Sequence, residues 1–153
     1  MFSSLMLNIK RRGRIMIDFV SREKRANIMR GSKGQNTRPE LAVRAYLRSL
    51  KIGYRLHRKD LSGRPDIAMM GRKKAIFVNG CFWHQHLAAE CPISRKPASN
   101  TEFWKKKFNS NRARDARNEA ALRSGGFQVL TLWECEIADG TFRSKIDRFL
   151  GKR

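Results

Sequence analysis

Three cysteines and two histidines set the tightest constraint on how this chain can fold. Cys81, His84, His86 and Cys91 lie within 11 positions, and Cys135 follows 44 residues after Cys91. Structural zinc takes four sulfur or nitrogen donors at the corners of a tetrahedron, and three cysteines with one histidine make such a set. The stretch from Gly80 to Ser99 mixes Cys, His, Trp and Pro with few aliphatic residues. A long irregular segment of that kind needs something other than packing to hold it. Zinc on Cys81, Cys91, Cys135 and one histidine would do so, provided that Cys135 returns beside the loop. Spacing alone does not choose between His84 and His86. The alternative is three buried thiols without metal. An odd, small number of cysteines makes no disulfide framework and fits a reducing, cytoplasmic compartment.

The rest of the chain reads as alternating helices and strands. Thr37-Arg38-Pro39-Glu40 has the form of a capping box with proline in the first turn, and helical spacing of apolar residues continues to about residue 51. Residues 52–57 form a short strand candidate. Residues 66–70 and 75–79 form a hairpin around Gly71-Arg72-Lys73-Lys74. Ser99-Asn100-Thr101-Glu102 is a second capping box, opening a long basic helix to about residue 123, stopped by Gly125-Gly126. Residues 127–133 read as a strand and residues 141–150 as a closing helix. A hairpin followed by a helical crossover and another strand predicts an α/β fold, a mixed sheet flanked by helices on both faces.

The 153 residues suit a single domain, and Lys and Arg outnumber Asp and Glu by 34 to 13, a net charge of +21. So large an excess opposes compaction by self-repulsion and makes sense if the partner is a polyanion, with nucleic acid first and an anionic membrane surface second. No segment approaches the ~20 apolar residues that span a bilayer. Residues 1–15 carry Lys10, Arg11, Arg12 and Arg14 and no acid. They read as a basic flexible extension, or as a mis-assigned start with Met16 the true beginning, ahead of a single domain over residues 16–153.

Amid this positive charge, Asp66 opens an apolar strand directly after Gly63-Arg64-Pro65. An acid there gains nothing from packing, and magnesium sites use one or two carboxylates together with substrate phosphate. Asp115, inside Asn111-Arg112-Ala113-Arg114-Asp115, and Glu40, in its capping box, have charge balance and capping as alternative explanations. His57, before a basic turn, reads as structural or surface. Phe82 and Trp83 stand in a polar loop and Trp104 at the start of the basic helix. They are either core aromatics or wedges and platforms for DNA bases.

Taken together, these segments resemble the very-short-patch-repair (Vsr) mismatch endonuclease family, from about residue 21 to residue 150. The likeness is carried by Ser21-Arg22-Glu23-Lys24-Arg25, Asn36-Thr37-Arg38-Pro39-Glu40, Tyr54-Arg55-Leu56-His57-Arg58 and Gly63-Arg64-Pro65-Asp66. It continues in Phe77-Val78-Asn79-Gly80-Cys81-Phe82-Trp83-His84, Thr101-Glu102-Phe103-Trp104, Asn111-Arg112-Ala113-Arg114-Asp115 and Leu132-Trp133-Glu134-Cys135. The resemblance implies a restriction-endonuclease-like fold and a magnesium-dependent nick 5′ of the mismatched T in a T:G pair, the product of 5-methylcytosine deamination. By matching position, Asp66 would hold catalytic Mg2+ with the backbone carbonyl of Val78. His84 would be the catalytic histidine, Asp115 its partner, and Glu40 a support for metal-bound waters. Structural Zn2+ would lie on Cys81, His86, Cys91 and Cys135. Phe82, Trp83 and Trp104 would enter the duplex, and the segment near Met29 would clasp it. The implied partners are double-stranded DNA bearing the mismatch, mismatch-repair proteins and a cytosine methyltransferase, for a monomer in the nucleoid-associated cytoplasm.

Two positions depart from the family pattern. Asn79 stands where many members carry histidine, and four residues separate His86 from Cys91. The strand Ile76-Phe77-Val78-Asn79 also lacks the Glu-x-Lys of most restriction-type nucleases, which leaves proton transfer to His84. The competing readings are a magnesium nuclease for another lesion or site, and a zinc-stabilised DNA-binding protein without catalysis.

Overall fold

The computed structural model describes residues 34–87, 91 and 93–152. Met29 and the basic extension expected over residues 1–15 lie outside them. Helix α1 (Arg38–Ser49) begins at Thr37, whose hydroxyl accepts the Glu40 N–H at 3.4 Å. Only half of the expected capping box forms. The Glu40 carboxylate accepts the N–H of Asn36 rather than that of the cap residue. The helix stops before residue 51 because Lys51 turns left-handed, with φ 56°.

Four strands follow in the spatial order β1-β2-β3-β4. Strand β1 (Arg55–Leu56) pairs antiparallel with β2 (Ile67–Met69), and β2 pairs antiparallel with β3 (Lys74–Asn79). Strand β1 is shorter than the expected residues 52–57, since His57 adopts φ 46° and bends the chain out of the ladder. The β2–β3 turn is a single 3-10 turn, Met70–Arg72, closed by left-handed Lys73. Helix α2 (Thr101–Ser124) then crosses over to β4 (Gln128–Trp133), which runs parallel to β3. The second expected capping box is not the device that starts α2. Its cap residue is Asn100, left-handed at φ 51° and making no side-chain cap bond. Helices α3 (Glu134–Asp139) and α4 (Phe142–Phe149) end the chain. Six residues without apolar periodicity hid α3 from the sequence pattern.

Alternation along the strands divides the core between two faces. Ile67, Met69, Ile76 and Leu132 meet Val43 and Leu47 of α1 and Phe142 and Ile146 of α4. On the opposite face Ala75 and Val129 meet Leu122 of α2 and Phe127. The result is the mixed sheet between helices that the sequence predicts. No helix among the described residues is long and apolar enough to cross a membrane.

Candidate active site and metal centre

The site begins with a tight turn. Gly63 has φ +73°, and a Cβ placed there would lie 2.7 Å from the Asn118 side chain of α2. Glycine therefore lets the turn press against that helix and deliver Asp66 to the head of β2. Asp66 Oδ2 accepts the Val78 N–H of β3 at 2.7 Å. Burial pushes the Asp66 carboxyl up to about 6, against the lowering effect of the Val78 N–H and with a further push from nearby Glu40. Val78 thus meets Asp66 through its N–H, alongside the carbonyl role that the resemblance implies.

Glu40 is 2% exposed. Its carboxylate accepts the Asn36 N–H at 2.9 Å, the Thr37 hydroxyl at 3.2 Å and the Arg44 guanidinium at 2.9 Å. His57, expected to be structural or at the surface, is part-buried between the two acids. Its Nε2 is 3.6 Å from Glu40 and its Nδ1 is 3.8 Å from Asp66. Glu40, His57 and Asp66 each bring a donor atom within 4.8 Å of the others. With Glu40 Oε2 engaged by Arg44, Asp66 has the freer carboxylate. One direct carboxylate with waters and substrate phosphate is a donor set that Mg2+ accepts, so the residues fit such an ion.

The second constellation lies on the loop after β3. His84 Nδ1 bonds Asp115 Oδ2 of α2 at 2.5 Å. Burial raises the Asp115 carboxyl, but the His84 bond and the charges of His84 and Arg114 together outweigh it and hold it below its usual range. One stripe of α2 organises all of this. Asn111 donates to the Trp83 carbonyl at 2.9 Å, Asp115 holds His84, and Asn118 packs on Gly63. These positions recur at i, i+4 and i+7, one helical face. A single cleft of ≈ 990 Å³ is lined by Asp66, Asn79, His84, Asp115, Arg64 and Arg112, among others.

Behind the loop, Cys81, His86, Cys91 and Cys135 bring one donor atom each within 4.8 Å of one another. Cys135 Sγ is 3.3 Å from His86 Nδ1, and the Cys135 N–H donates to Cys81 Sγ at 3.4 Å. A tetrahedron with 2.3 Å arms has edges of about 3.8 Å, so these separations suit zinc. Burial pushes the Cys81 thiol up to about 12, and a bound cation would reverse that. The His86 ring stacks on Trp133, centroids 4.3 Å apart, which fixes its orientation. His84 is on the cleft side and outside this group, and Cys91 falls within it despite its spacing.

The aromatic residues are packed together. Phe82 meets Trp83, Trp104 and Phe108 edge-on, at 5.2, 5.3 and 5.4 Å. Phe82 and Trp83 are half-buried, but Trp104 is only 3% exposed. The expectation that Trp104 meets the duplex is therefore not how it sits here. It lies beneath Phe82 and Trp83 as part of a small aromatic core, and Phe103 beside it is the exposed ring. Sequence spacing distinguishes poorly between these two neighbours at a helix start.

Comparison with known proteins agrees with this architecture. Residues 17–90 match the family described as DNA mismatch endonuclease Vsr. The type II nicking enzyme V.XorIIP of Xanthomonas oryzae pv. oryzae is 44% identical over 136 residues, covering 88% of this chain and 98% of that protein. The DNA mismatch endonuclease Vsr of Escherichia coli is 34% identical over 122 residues, covering 80% and 76% respectively. Among solved structures, the catalytic domain of the homing endonuclease I-Bth0305I superposes with a TM-score of 0.50 at 26% identity, covering 74% of this chain and 94% of that one. The mixed sheet is thus that of a nuclease catalytic domain, the activity is that of a DNA endonuclease, and the chain belongs to the Vsr family.

Proposed function

We propose that this endonuclease nicks one DNA strand 5′ of the mismatched T in a T:G pair, with Mg2+ held at Asp66 and Zn2+ holding the loop after β3. The observation that carries the reading is the shared cleft. The acidic group of Asp66 and Glu40 and the His84–Asp115 pair line one cavity beside half-buried aromatic rings. The names of the similar nicking enzymes support single-strand cleavage.

A divalent cation at Asp66 would supply Lewis-acid polarisation of a phosphoryl oxygen and acidify a bound water. Asp66 would hold that cation, with Oδ1 the freer oxygen because Oδ2 accepts the Val78 N–H. Glu40, ion-paired with Arg44, would orient water near the cation. His84, with Nδ1 tied to Asp115, has Nε2 left to exchange a proton with the reacting oxygens. Arg64 and Arg112 line the cleft where the phosphates pass. The buried Trp104 Nε1 has no hydrogen-bond partner among the described residues. An orphaned buried donor costs about 1–3 kcal/mol, and the half-buried Phe82 and Trp83 packed on that ring are the ones that would meet a duplex.

Duplex oligonucleotides with one T:G pair, incubated with and without Mg2+, test the reading. A nick 5′ of the T, dependent on the cation and absent from the matched duplex, is expected. Equal cleavage of both duplexes would favour a nuclease of another specificity, and no cleavage of either would overturn the proposal. His84→Ala should lose nicking yet retain zinc by elemental analysis. Loss of zinc instead would mean that His84 and His86 exchange roles. DNA affinity should fall by roughly 10³–10⁵ between about 50 and 200 mM salt, as for proteins that neutralise 6–10 phosphates. A flat salt response in a filter-binding titration would contradict +21 as a phosphate-binding charge.

Phe82→Ala or Trp83→Ala should weaken mismatch binding by about 1–3 kcal/mol, the scale of base–aromatic stacking. Both rings also pack on the aromatic core, so the informative readout is the difference between duplexes. A larger loss at T:G than at a matched pair marks contact with DNA. Equal losses mark a loosened fold.

A further inference from the structure

The buried charges around Asp66 form a chain whose inner members the proposed reaction has not yet used. Arg44 is 6% exposed. Its Nη1 donates to Asn36 Oδ1 at 2.7 Å, and its Nη2 meets both Glu40 Oε2 at 2.9 Å and His57 Nε2 at 3.1 Å. A guanidinium can only donate hydrogen bonds. His57 Nε2 must then accept, and the ring proton resides on Nδ1. That nitrogen is the one 3.8 Å from Asp66 Oδ1. The same backbone supports the arrangement, because the His57 N–H points to the Asp66 carbonyl at 3.4 Å across the β1–β2 ladder. An imidazole whose Nε2 is already occupied by Arg44 and whose Nδ1 carries a proton has no lone pair for a metal.

We propose that His57 is a positioning residue for Asp66, its tautomer fixed by Arg44, and that it acts by presenting Nδ1–H to the carboxylate oxygen left for the cation. Val78 N–H anchors Oδ2 at 2.7 Å, and His57 Nδ1 stands 3.8 Å from Oδ1, close enough to bias its position electrostatically. A cation there would meet a carboxylate whose rotation is limited on one side by the Val78 bond and on the other by the His57 ring. Groups that orient a ligating side chain typically contribute 10–100-fold in metal affinity or activity. Asn79, at the C-terminal end of β3, leaves no imidazole on that strand within the cleft. The imidazole beside Asp66 comes from the end of β1 instead.

This inference rests on Asp66 as the cation-holding residue, so the experiment carries both questions. Calorimetric titration of Ca2+ into the protein bound to a T:G duplex reads cation affinity without cleavage, beside DNA affinity in chelator and the Mg2+ concentration that half-activates nicking. His57→Ala should weaken Ca2+ binding and raise the half-activating Mg2+ by roughly 10–100-fold, with DNA affinity in chelator within about twofold. His57→Asn places an amide N–H near the position of Nδ1 and should recover cation affinity to within a few-fold. Unchanged Ca2+ affinity in His57→Ala overturns the inference, as does His57→Asn behaving like His57→Ala, which would make His57 a ligand or a packing element. Asp66→Ala is the control. Ca2+ affinity that survives its loss overturns the reading of Asp66 itself, an outcome distinct from failure at His57 alone.

Discussion

Asp66→Ala should reduce metal-dependent nicking by on the order of 10³-fold or more, the several kcal/mol expected when a Lewis acid is lost from phosphodiester cleavage, while binding of the T:G duplex in chelator survives. Gel-based nicking and equilibrium binding on the same duplex measure the two effects. Wild-type rates in the mutant would remove Asp66 from the chemistry. The carboxyl also predicts a pH dependence. A proton and a cation compete for it, so nicking should fall as the pH drops through about 6, and added Mg2+ should partly restore it. The linkage in the zinc-loaded protein without Mg2+ runs the other way. The folded-state value lies above the ordinary 3.8, so the folded state binds more protons between those pH values, and stability declines as pH rises across that window. At pH 8 the ionised, mostly buried carboxylate should cost about 3 kcal/mol. Asp66→Asn, which keeps an oxygen for the Val78 N–H, should therefore stabilise the zinc-loaded, Mg2+-free protein at pH 8 and change little at pH 4, while still failing to nick. Denaturant melts at the two pH values read this directly. A mutant no more stable at pH 8 would mean that Arg44 and His57 already compensate the charge.

Removing zinc should unfold at least the loop from Gly80 to Ser99. Structural zinc contributes about 10–16 kcal/mol of apparent binding energy, whereas whole domains are stable by about 5–15 kcal/mol. Elemental analysis should give one zinc per chain. Cys135→Ser should lower both zinc content and melting temperature, because Cys135 joins the loop to the segment after β4 and its N–H is already directed at Cys81 Sγ. Cys91→Ser should do the same through the fourth corner. His84 sits on the same loop with its ring on Asp115, so chelation should also abolish nicking that added Mg2+ cannot restore. A metal-free protein with a full cooperative melt and unchanged activity would show that the thiols are simply buried.

Much of this architecture is legible in the sequence because its signals are local. The apolar alternation of β3 and β4, the spacing of α1 and the Gly125-Gly126 stop of α2 each depend on neighbours in the chain. What escaped depends on partners far away. His57 reads only as structural or surface in Arg55-Leu56-His57-Arg58, with no sign of a place in the site, yet the β1–β2 register sets it opposite Asp66. Reading that register forward from the hairpin would have found it. Arg44 carries no sign in its own helix that it will be buried against Glu40 and His57. Trp104 and Phe103 are adjacent aromatics at a helix start, and only the position of Phe82 and Phe108 decides which of them is covered. The left-handed conformations of His57 and Asn100, which shorten β1 and start α2, carry no glycine to announce them. The resemblance to a nuclease family ordered the acids, histidines and cysteines into groups that residue spacing left open.

The parallel pairing of β3 with β4 has a consequence for how the enzyme comes into being. Asn79 lies opposite Trp133, so the chain leaves both strands at the same rim of the sheet, and Cys81 and Cys135 meet there from positions 54 residues apart. Contacts so distant along the chain form late, after the loop between them has been closed against its entropy. During synthesis, Asp66, His84 and Asp115 all emerge before the strand and the cysteine that seat their loops. The proposed reacting groups thus precede β4 and Cys135 in the chain, and the cleft they line is closed only once β4 pairs with β3. For an enzyme that breaks DNA, topology of this kind ties the cutting cleft to the most distant contact in its sheet.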